Sequence, residues 1–375
     1  MAGLYIHVPF CAKRCTYCDF FSQTEMKHKK SYVQAVIREL KLRKDYLGGE
    51  PLETIYFGGG TPSQLQVEDY QPVFETIRQT YRMTDSPEIT LEANPDDLSY
   101  EYLAALHTLP FNRISMGVQS FRDEDLLMLN RRHDARQAID AIHRCREEGY
   151  TNLSLDLIYG LPGQTVEEWE ANLDEAIRLQ APHLSAYHLS YEEGTAIHQQ
   201  LKTGAIRPVD EETSVLLFRT LIYKLTAVGY LHYEISNFCR PDCFSRHNSA
   251  YWTGKKYLGI GPAAHSYDIC SRQWNAASLP DYINGLAHGS LSFEKEYLDV
   301  KTRYNDYIIT RLRTMWGIEL SSLHELFGTE LSEYFLQQAE PYIQKGLMQK
   351  TAQNIKITKD GLFISDGILC DLMRN

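Results

Sequence analysis

The sequence has no fourth cysteine within reach of three that stand close together. Cys11, Cys15 and Cys18 lie in the run His-Val-Pro-Phe-Cys-Ala-Lys-Arg-Cys-Thr-Tyr-Cys-Asp-Phe, and the next candidate position holds Phe20. A structural zinc ion takes four Cys or His ligands, so a zinc site here needs His7 to complete it. Three is also an odd number for disulfides, and nothing ahead of Cys11 has the composition of a signal peptide. No apolar run approaches the length of a bilayer span. Positive charge is short as well: the net of −11 at pH 7 gives no electrostatic reason to bind nucleic acid. The run Gly58-Gly59-Gly60-Thr61-Pro62 lacks the Gly-Lys-Ser/Thr of a nucleotide phosphate loop. With no membrane span and no export signal, the expected location is the cytoplasm, where the eight cysteines stay reduced and free to hold metal.

What is present begins with those same thiols. An iron–sulfur cubane takes one thiolate per iron, so three ligands leave one iron open to something that is not protein. The composition, 43% hydrophobic and 23% charged over 375 residues, fits one large domain and a smaller one. Short apolar runs at Leu4–Val8, Thr54–Phe57, Glu88–Glu92, Arg113–Gly117, Leu153–Tyr159 and Leu184–Leu189 read as buried parallel strands. Helical patterns follow around Lys30–Asp45, Val67–Tyr81, Tyr100–Leu106, Asp134–Glu148, Val166–Leu179 and Glu211–Val228. Six β/α units predict a parallel sheet with helices outside it, as an open partial barrel or, alternatively, a doubly wound sheet. In a barrel the chemistry sits at the C-terminal strand ends. The cysteine loop, the glycine run, Glu92-Ala93-Asn94-Pro95, Gly117-Val118-Gln119-Ser120 and the stretch after Asp156 all fall there. Three consecutive glycines let backbone groups approach a ligand such as an amino acid, and Glu92 is placed to accept from a ribose.

Cys-x3-Cys-x2-Cys followed by an aromatic residue resembles the signature of the radical S-adenosylmethionine (SAM) superfamily. More specifically, the chain resembles the HemW heme chaperones, relatives of the oxygen-independent coproporphyrinogen III oxidases. The resemblance rests on Tyr5–Phe20, Tyr56–Ser63, Glu92–Pro95, Arg113–Ser120, Asp156–Thr165, Tyr233–Asn237 and His247–Trp252, nearly the whole chain. It implies a partial (β/α)6 barrel followed by a smaller, winged-helix-like α+β domain. Cys11, Cys15 and Cys18 would then ligate a 4Fe-4S cluster. Tyr5, Tyr17, Gly59, Gly60, Thr61 and Glu92 would contact SAM, and Gln119, Arg131 and Asp156 match positions that hold a second SAM in the oxidase. Two departures separate the chain from the oxidase: Phe20 stands where the oxidase has a further cysteine, and only ten residues precede Cys11.

The block His247-Asn248-Ser249-Ala250-Tyr251-Trp252 resembles the heme-associated motif of the family, with His247 as a heme ligand. Cys239 and Cys243, spaced Cys-x3-Cys, suggest a second metal site or a heme thiolate, against the alternative of simply packed cysteines, and Cys145 and Cys370 read as core. The expected division is a barrel over 1–230, a connecting segment over 231–298 and a C-terminal domain over 299–375. From Val300 onward nine Lys/Arg balance nine Asp/Glu, so this domain reads as a docking or lid domain rather than a DNA reader. The expected function is heme delivery to an acceptor protein, with an electron donor if the cluster is reduced. Oxidative decarboxylation of coproporphyrinogen is the alternative.

Overall fold

The computed structural model describes residues 1–374. Six strands, β1 (Ala2–Val8), β2 (Leu52–Gly59), β3 (Met83–Ala93), β4 (Arg113–Gln119), β5 (Leu153–Tyr159) and β6 (His183–His188), pair in chain order and in parallel. The helices that return the chain are α1 (Lys29–Leu42), α2 (Val67–Thr80), α3 (Tyr100–Leu106), α4 (Asp123–Met128), α5 (Ala135–Glu147), α6 (Val166–Arg178), α7 (Ala196–Lys202) and α8 (Glu211–Ala227). The expected helices are all present; the short α4 and α7 are additions. Capping boxes start α5 and α6: Asp134 pairs reciprocally with Gln137, and Thr165 with Glu168. Each box satisfies two of the backbone N–H groups a helix start leaves open.

The strands are apolar on one face only. Ile114, Met116 and Val118 of β4, and Leu153, Leu155 and Leu157 of β5, join the core shared with the helices. The alternate residues face the other way, as the two-residue strand period requires. Ser115, Glu92, Asp156 and Ser185 line an interior cavity, with Arg113 and His183 buried on the same faces. Barrels of this kind are usually filled by branched apolar side chains. A polar interior instead leaves room for a polar ligand or water.

The stretch expected to connect two domains is part of the sheet. Antiparallel β7 (Leu231–His232) and β8 (Asn237–Cys239) extend it beyond β6. After α9 (Arg246–Trp252), β9 (Tyr257–Ile260) pairs in parallel with β1 on the opposite edge. β10 (His265–Tyr267), β11 (Ser271–Asn275), α10 (Leu279–Ala287) and β12 (Phe293–Tyr297) follow, giving a sheet of twelve strands. A buried cluster on α1 fastens this edge. Glu39 is fully buried and accepts from Gly261 N (2.9 Å), Asn275 Nδ2 (2.8 Å) and Tyr282 OH (2.6 Å). Arg43, one turn on, donates to Gly259 O (3.0 Å) and Ser266 Oγ (3.1 Å).

The C-terminal unit has its own core around Tyr304, Ile308, Leu323, Phe335, Ile355 and Ile368. It comprises α11 (Val300–Leu312), β13 (Ile318–Glu319), α12 (Leu320–Gln344), β14 (Met348–Lys350), β15 (Asn354–Ile357) and α13 (Ser365–Leu372). Gly328, with φ of 75°, breaks α12 into two helical segments that meet at a kink. The unit contributes no wall residue to the interior cavity. It docks on the flank, through Met315 N to Tyr233 O (2.9 Å) and Arg311 Nη2 to Thr253 O (3.0 Å). Cys145 is core as expected, whereas Cys370 is exposed on α13.

Glu39→Ala is expected to cost about 3–5 kcal/mol of stability, because it removes the carboxylate 3.4 Å from the buried Arg43 guanidinium and leaves two buried donors, Gly261 N and Tyr282 OH, unpaired. Urea denaturation of the two proteins measures this; a loss under about 1 kcal/mol counts against the cluster as the fastening of the edge.

Candidate functional site

The loop after β1 is pinned at both ends. Cys11 N donates to Gln23 O (3.0 Å), and Gln23 N donates to Pro9 O (2.8 Å). Its far side is held by Thr16 N to Leu129 O (3.2 Å), Ile197 N to Thr16 O (2.9 Å) and Asn130 Nδ2 to Arg14 O (2.8 Å). This places Cys11, Cys15 and Cys18 on the wall of one cavity of about 450 Å³. Two side chains donate to the sulfurs: Thr61 Oγ1 to Cys11 Sγ (3.3 Å) and Arg131 Nη1 to Cys15 Sγ (3.2 Å). Donors aimed at sulfur stabilise thiolate over thiol. Burial pushes the free Cys11 thiol up, and the Cys18 thiol up to about 11. Holding metal therefore expels protons that the empty site retains.

Among the described residues no group of three His, Cys, Asp or Glu side chains converges to hold one metal ion. His7, needed for a zinc site, is turned away: its Nε2 bonds Phe21 O (2.8 Å) and its Nδ1 bonds Tyr5 OH (3.2 Å). Phe20 is exposed at the cavity wall and offers no fourth sulfur.

The glycines are required, though for a reason the sequence reading did not reach. A Cβ on Gly60 would lie 2.9 Å from both Phe10 O and Val8 O and 3.1 Å from Cys11 Sγ. A Cβ on Gly59, whose φ is +106°, would lie 2.5 Å from His7 Nδ1. The bare backbone thus admits the cysteine loop itself as well as facing the cavity. Gly60 N to Val8 O and Thr61 N to Phe10 O, both 2.8 Å, continue the strand pairing into the loop.

Across the cavity, Glu92 accepts from Tyr56 OH (2.6 Å) and Gly59 N (3.1 Å). Its pKa is raised to about 7, first by burial and then by Asp156, against the pull of Tyr56, Gly59 and Arg113. Asp156 takes hydrogen bonds from Ser115 at 3.3 and 3.4 Å, and burial raises its pKa too. Arg131 also donates through Nη2 to Asn94 Oδ1 (2.6 Å) and Gly117 O (2.7 Å), so it ties β3 and β4 to the cysteine loop. Gln119 sits in the left-handed region at φ of 69°. Such strain in a non-glycine residue gathers at functional sites.

Tyr17, Gly59, Gly60, Thr61, Glu92, Gln119, Arg131 and Asp156 all line the cavity with the three cysteines. Tyr5 does not; it stands behind the wall, stacked on Tyr56 at 6.1 Å. Asn94, Asn248 and Tyr187 line the cavity and were not singled out as site residues. The alternation of β6, which turns Tyr187 inward with Ser185, was the available signal for the last.

His247 is not an open iron ligand. The imidazole is 2% exposed and both nitrogens are taken, Nδ1 by Thr54 Oγ1 (2.7 Å) and Nε2 by Tyr251 OH (2.8 Å). Burial, and then the charge of Arg113, lower its pKa to about 3, so the ring is neutral. Ligation would leave a buried hydroxyl unpaired in exchange for one metal bond. Cys239 is buried in β8, and among the described residues no third donor joins Cys239 and Cys243.

Comparison with known proteins agrees with this geometry. The radical SAM superfamily pattern matches residues 5–176, and the HemN C-terminal domain pattern matches residues 298–364. The heme chaperone HemW of Bacillus subtilis is 31% identical, covering 98% of each chain. HemW of Mycobacterium tuberculosis is 31% identical over 99% of this chain and 94% of its own. The bovine mitochondrial radical S-adenosyl methionine domain-containing protein 1 is 35% identical over 99% of this chain and 87% of its own. In structure, the coproporphyrinogen III oxidase HemN of Escherichia coli superposes with a TM-score of 0.85 over 99% of this chain and 90% of its own. At 24% identity, that last likeness speaks for the fold alone.

The raised pKa of Glu92 predicts a pH dependence. If Glu92 meets the ribose of SAM, the ionised carboxylate is the stronger acceptor, so SAM affinity is expected to fall as pH drops through about 7. Glu92→Gln should bind more weakly and lose the dependence. Titrations at pH 6, 7 and 8 test this, and a flat profile in the unmutated protein removes Glu92 from ligand contact.

Proposed function

The chain belongs to the HemW/HemN-like family of the radical SAM superfamily, and from that premise we propose that it is a heme chaperone, binding heme and passing it to an acceptor protein. The observation that carries this reading is the likeness, 31% over 98% of both chains, to a protein named for heme delivery. Phe20 supports it, because the position resembling the oxidase's additional cysteine carries an exposed phenyl ring.

The radical SAM domain implies SAM and a 4Fe-4S cluster. In this reading Cys11, Cys15 and Cys18 would hold the cluster, leaving one iron without a protein ligand and available to SAM. When bound, the pair supplies reductive chemistry. The protein's own part is positional. Gly59, Gly60 and Thr61 offer backbone beside the cluster loop, Tyr17 walls the cavity, and Glu92 accepts from the ribose. Arg131 and Thr61 offset thiolate charge, and Tyr5 acts from behind the wall. Gln119 and Asp156 leave polar groups for a second SAM or another polar ligand in the same cavity. A donor that reduces the cluster would meet exposed Lys13, Arg14 and Phe20 at the loop. Among the described residues no helix is long and apolar enough to cross a membrane, and the proposed location is the cytoplasm.

Anaerobic reconstitution, heme titration and a coproporphyrinogen III assay on one preparation test the proposal. The expected result is a bound-heme Soret band, heme transfer to an added apo-acceptor, and no decarboxylation. Measurable decarboxylation without heme transfer would install the oxidase reading in its place.

A further inference from the structure

The block His247 to Trp252 was singled out for heme, yet its histidine is sealed against the back of the cavity wall. The imidazole stacks on Tyr56 with centroids 4.9 Å apart and planes 22° from parallel. Tyr56 in turn delivers its hydroxyl to Glu92 at 2.6 Å. The ring itself is clamped on three sides. Thr54, two residues before Tyr56 on β2, bonds Nδ1, and Tyr251, one turn along α9, bonds Nε2 and meets the imidazole edge-on at 5.1 Å. The third clamp is the backbone, since Glu88 accepts from Arg246 N (3.1 Å) and His247 N (3.0 Å). The next side chain, Asn248, reaches the cavity wall.

We propose that His247 is a positioning residue for the SAM pocket: it fixes the ring plane of Tyr56, and through it the carboxylate of Glu92, rather than ligating iron. This rests on the reading of the cavity as a SAM pocket. The reasoning is steric and then electrostatic. Tyr56 has no covalent constraint on its ring beyond its rotamer, so the plane is set by what it packs against. Glu92 has two protein donors, Gly59 N from the backbone and Tyr56 OH from a rotatable side chain. If Tyr56 swings, Glu92 keeps one donor and loses its orientation, and a ribose acceptor misplaced by about 1 Å loses much of its value. The geometry also ties α9 to the cofactor pocket, so a displacement of the helix reaches Glu92 through two contacts.

The test uses the reconstituted full-length protein, with SAM affinity read from the change it makes in the electron paramagnetic resonance signal of the reduced cluster. His247→Ala should weaken SAM by about tenfold, the size of one lost well-made contact. His247→Phe, which keeps a ring beneath Tyr56 and fills the core, should recover most of that loss. Iron and sulfide content, which depends on Cys11, Cys15 and Cys18, should not change in either variant. Tyr56→Phe removes the hydroxyl at the other end of the relay. If His247 acts through Tyr56, the double variant His247→Ala/Tyr56→Phe should be no weaker than the worse single variant. Losses that multiply, to about a hundredfold, would overturn the relay. A Soret band lost in His247→Ala with SAM affinity unchanged would also overturn it and return the residue to iron. No effect of SAM on the cluster signal of the unmutated protein would remove the pocket reading itself, and the proposal with it.

Discussion

Everything at the cavity depends on how closely the cysteine loop can approach the end of β2. The parallel pairing of β1 and β2 does not stop at Val8 and Gly59; two more backbone hydrogen bonds carry it to Gly60 and Thr61. That continuation is possible only because Gly59 and Gly60 have no side chains, since His7 and two carbonyls occupy the space a Cβ would need. Close approach then sets Thr61 within reach of Cys11, and the rest of the sulfur environment follows from Arg131 closing on Cys15. The glycines are therefore packing residues first, and their exposure to a ligand is a consequence of the same packing.

The interior charge balance is the second constraint. Arg113 is 1% exposed, and none of its three guanidinium nitrogens has a protein hydrogen-bond partner. Its field reaches Glu92 and Asp156, where it opposes the rise in pKa that burial causes. It also reaches His183 and His247, where it adds to burial in keeping both imidazoles neutral. One buried cation thus favours ionised carboxylates and uncharged imidazoles in the same enclosure. A buried guanidinium without protein partners is costly unless it is hydrated.

Much of the site was legible in the sequence because its ligating chemistry is local. Cys11, Cys15 and Cys18 fall within one turn-rich loop, and strand-end glycines and carboxylates mark the functional rim wherever the β/α rhythm is regular. The strand spans were also recoverable, since apolar residues at every second position lie against outer helices. The inner positions Thr54, Thr90, Arg113, Ser115 and Ser154 are polar, which short apolar runs read as buried strands do not convey. They are the complementary face of the same alternation.

The sequence by itself determined the local chemistry: a three-thiolate loop, a glycine run able to sit beside it, and alternating strands that must bury one face. Those are matters of spacing and side-chain type within a few residues. Only the tertiary structure decided what the distant segments do. Residues 231–298 read as a connection because their strands are short and separated, yet they pair with β6 at one edge and β1 at the other. His247 read as a ligand because its block resembles the heme-associated motif of the family; by residue type alone, a histidine beside Asn248 reads as a hydrogen-bonded structural residue. Whether its nitrogens are free depends on Thr54, 193 positions away in sequence, which takes Nδ1, and on Tyr251, one turn along the same helix, which takes Nε2. A side chain's chemistry is written in its type, but its availability is set by what the fold places on its lone pairs.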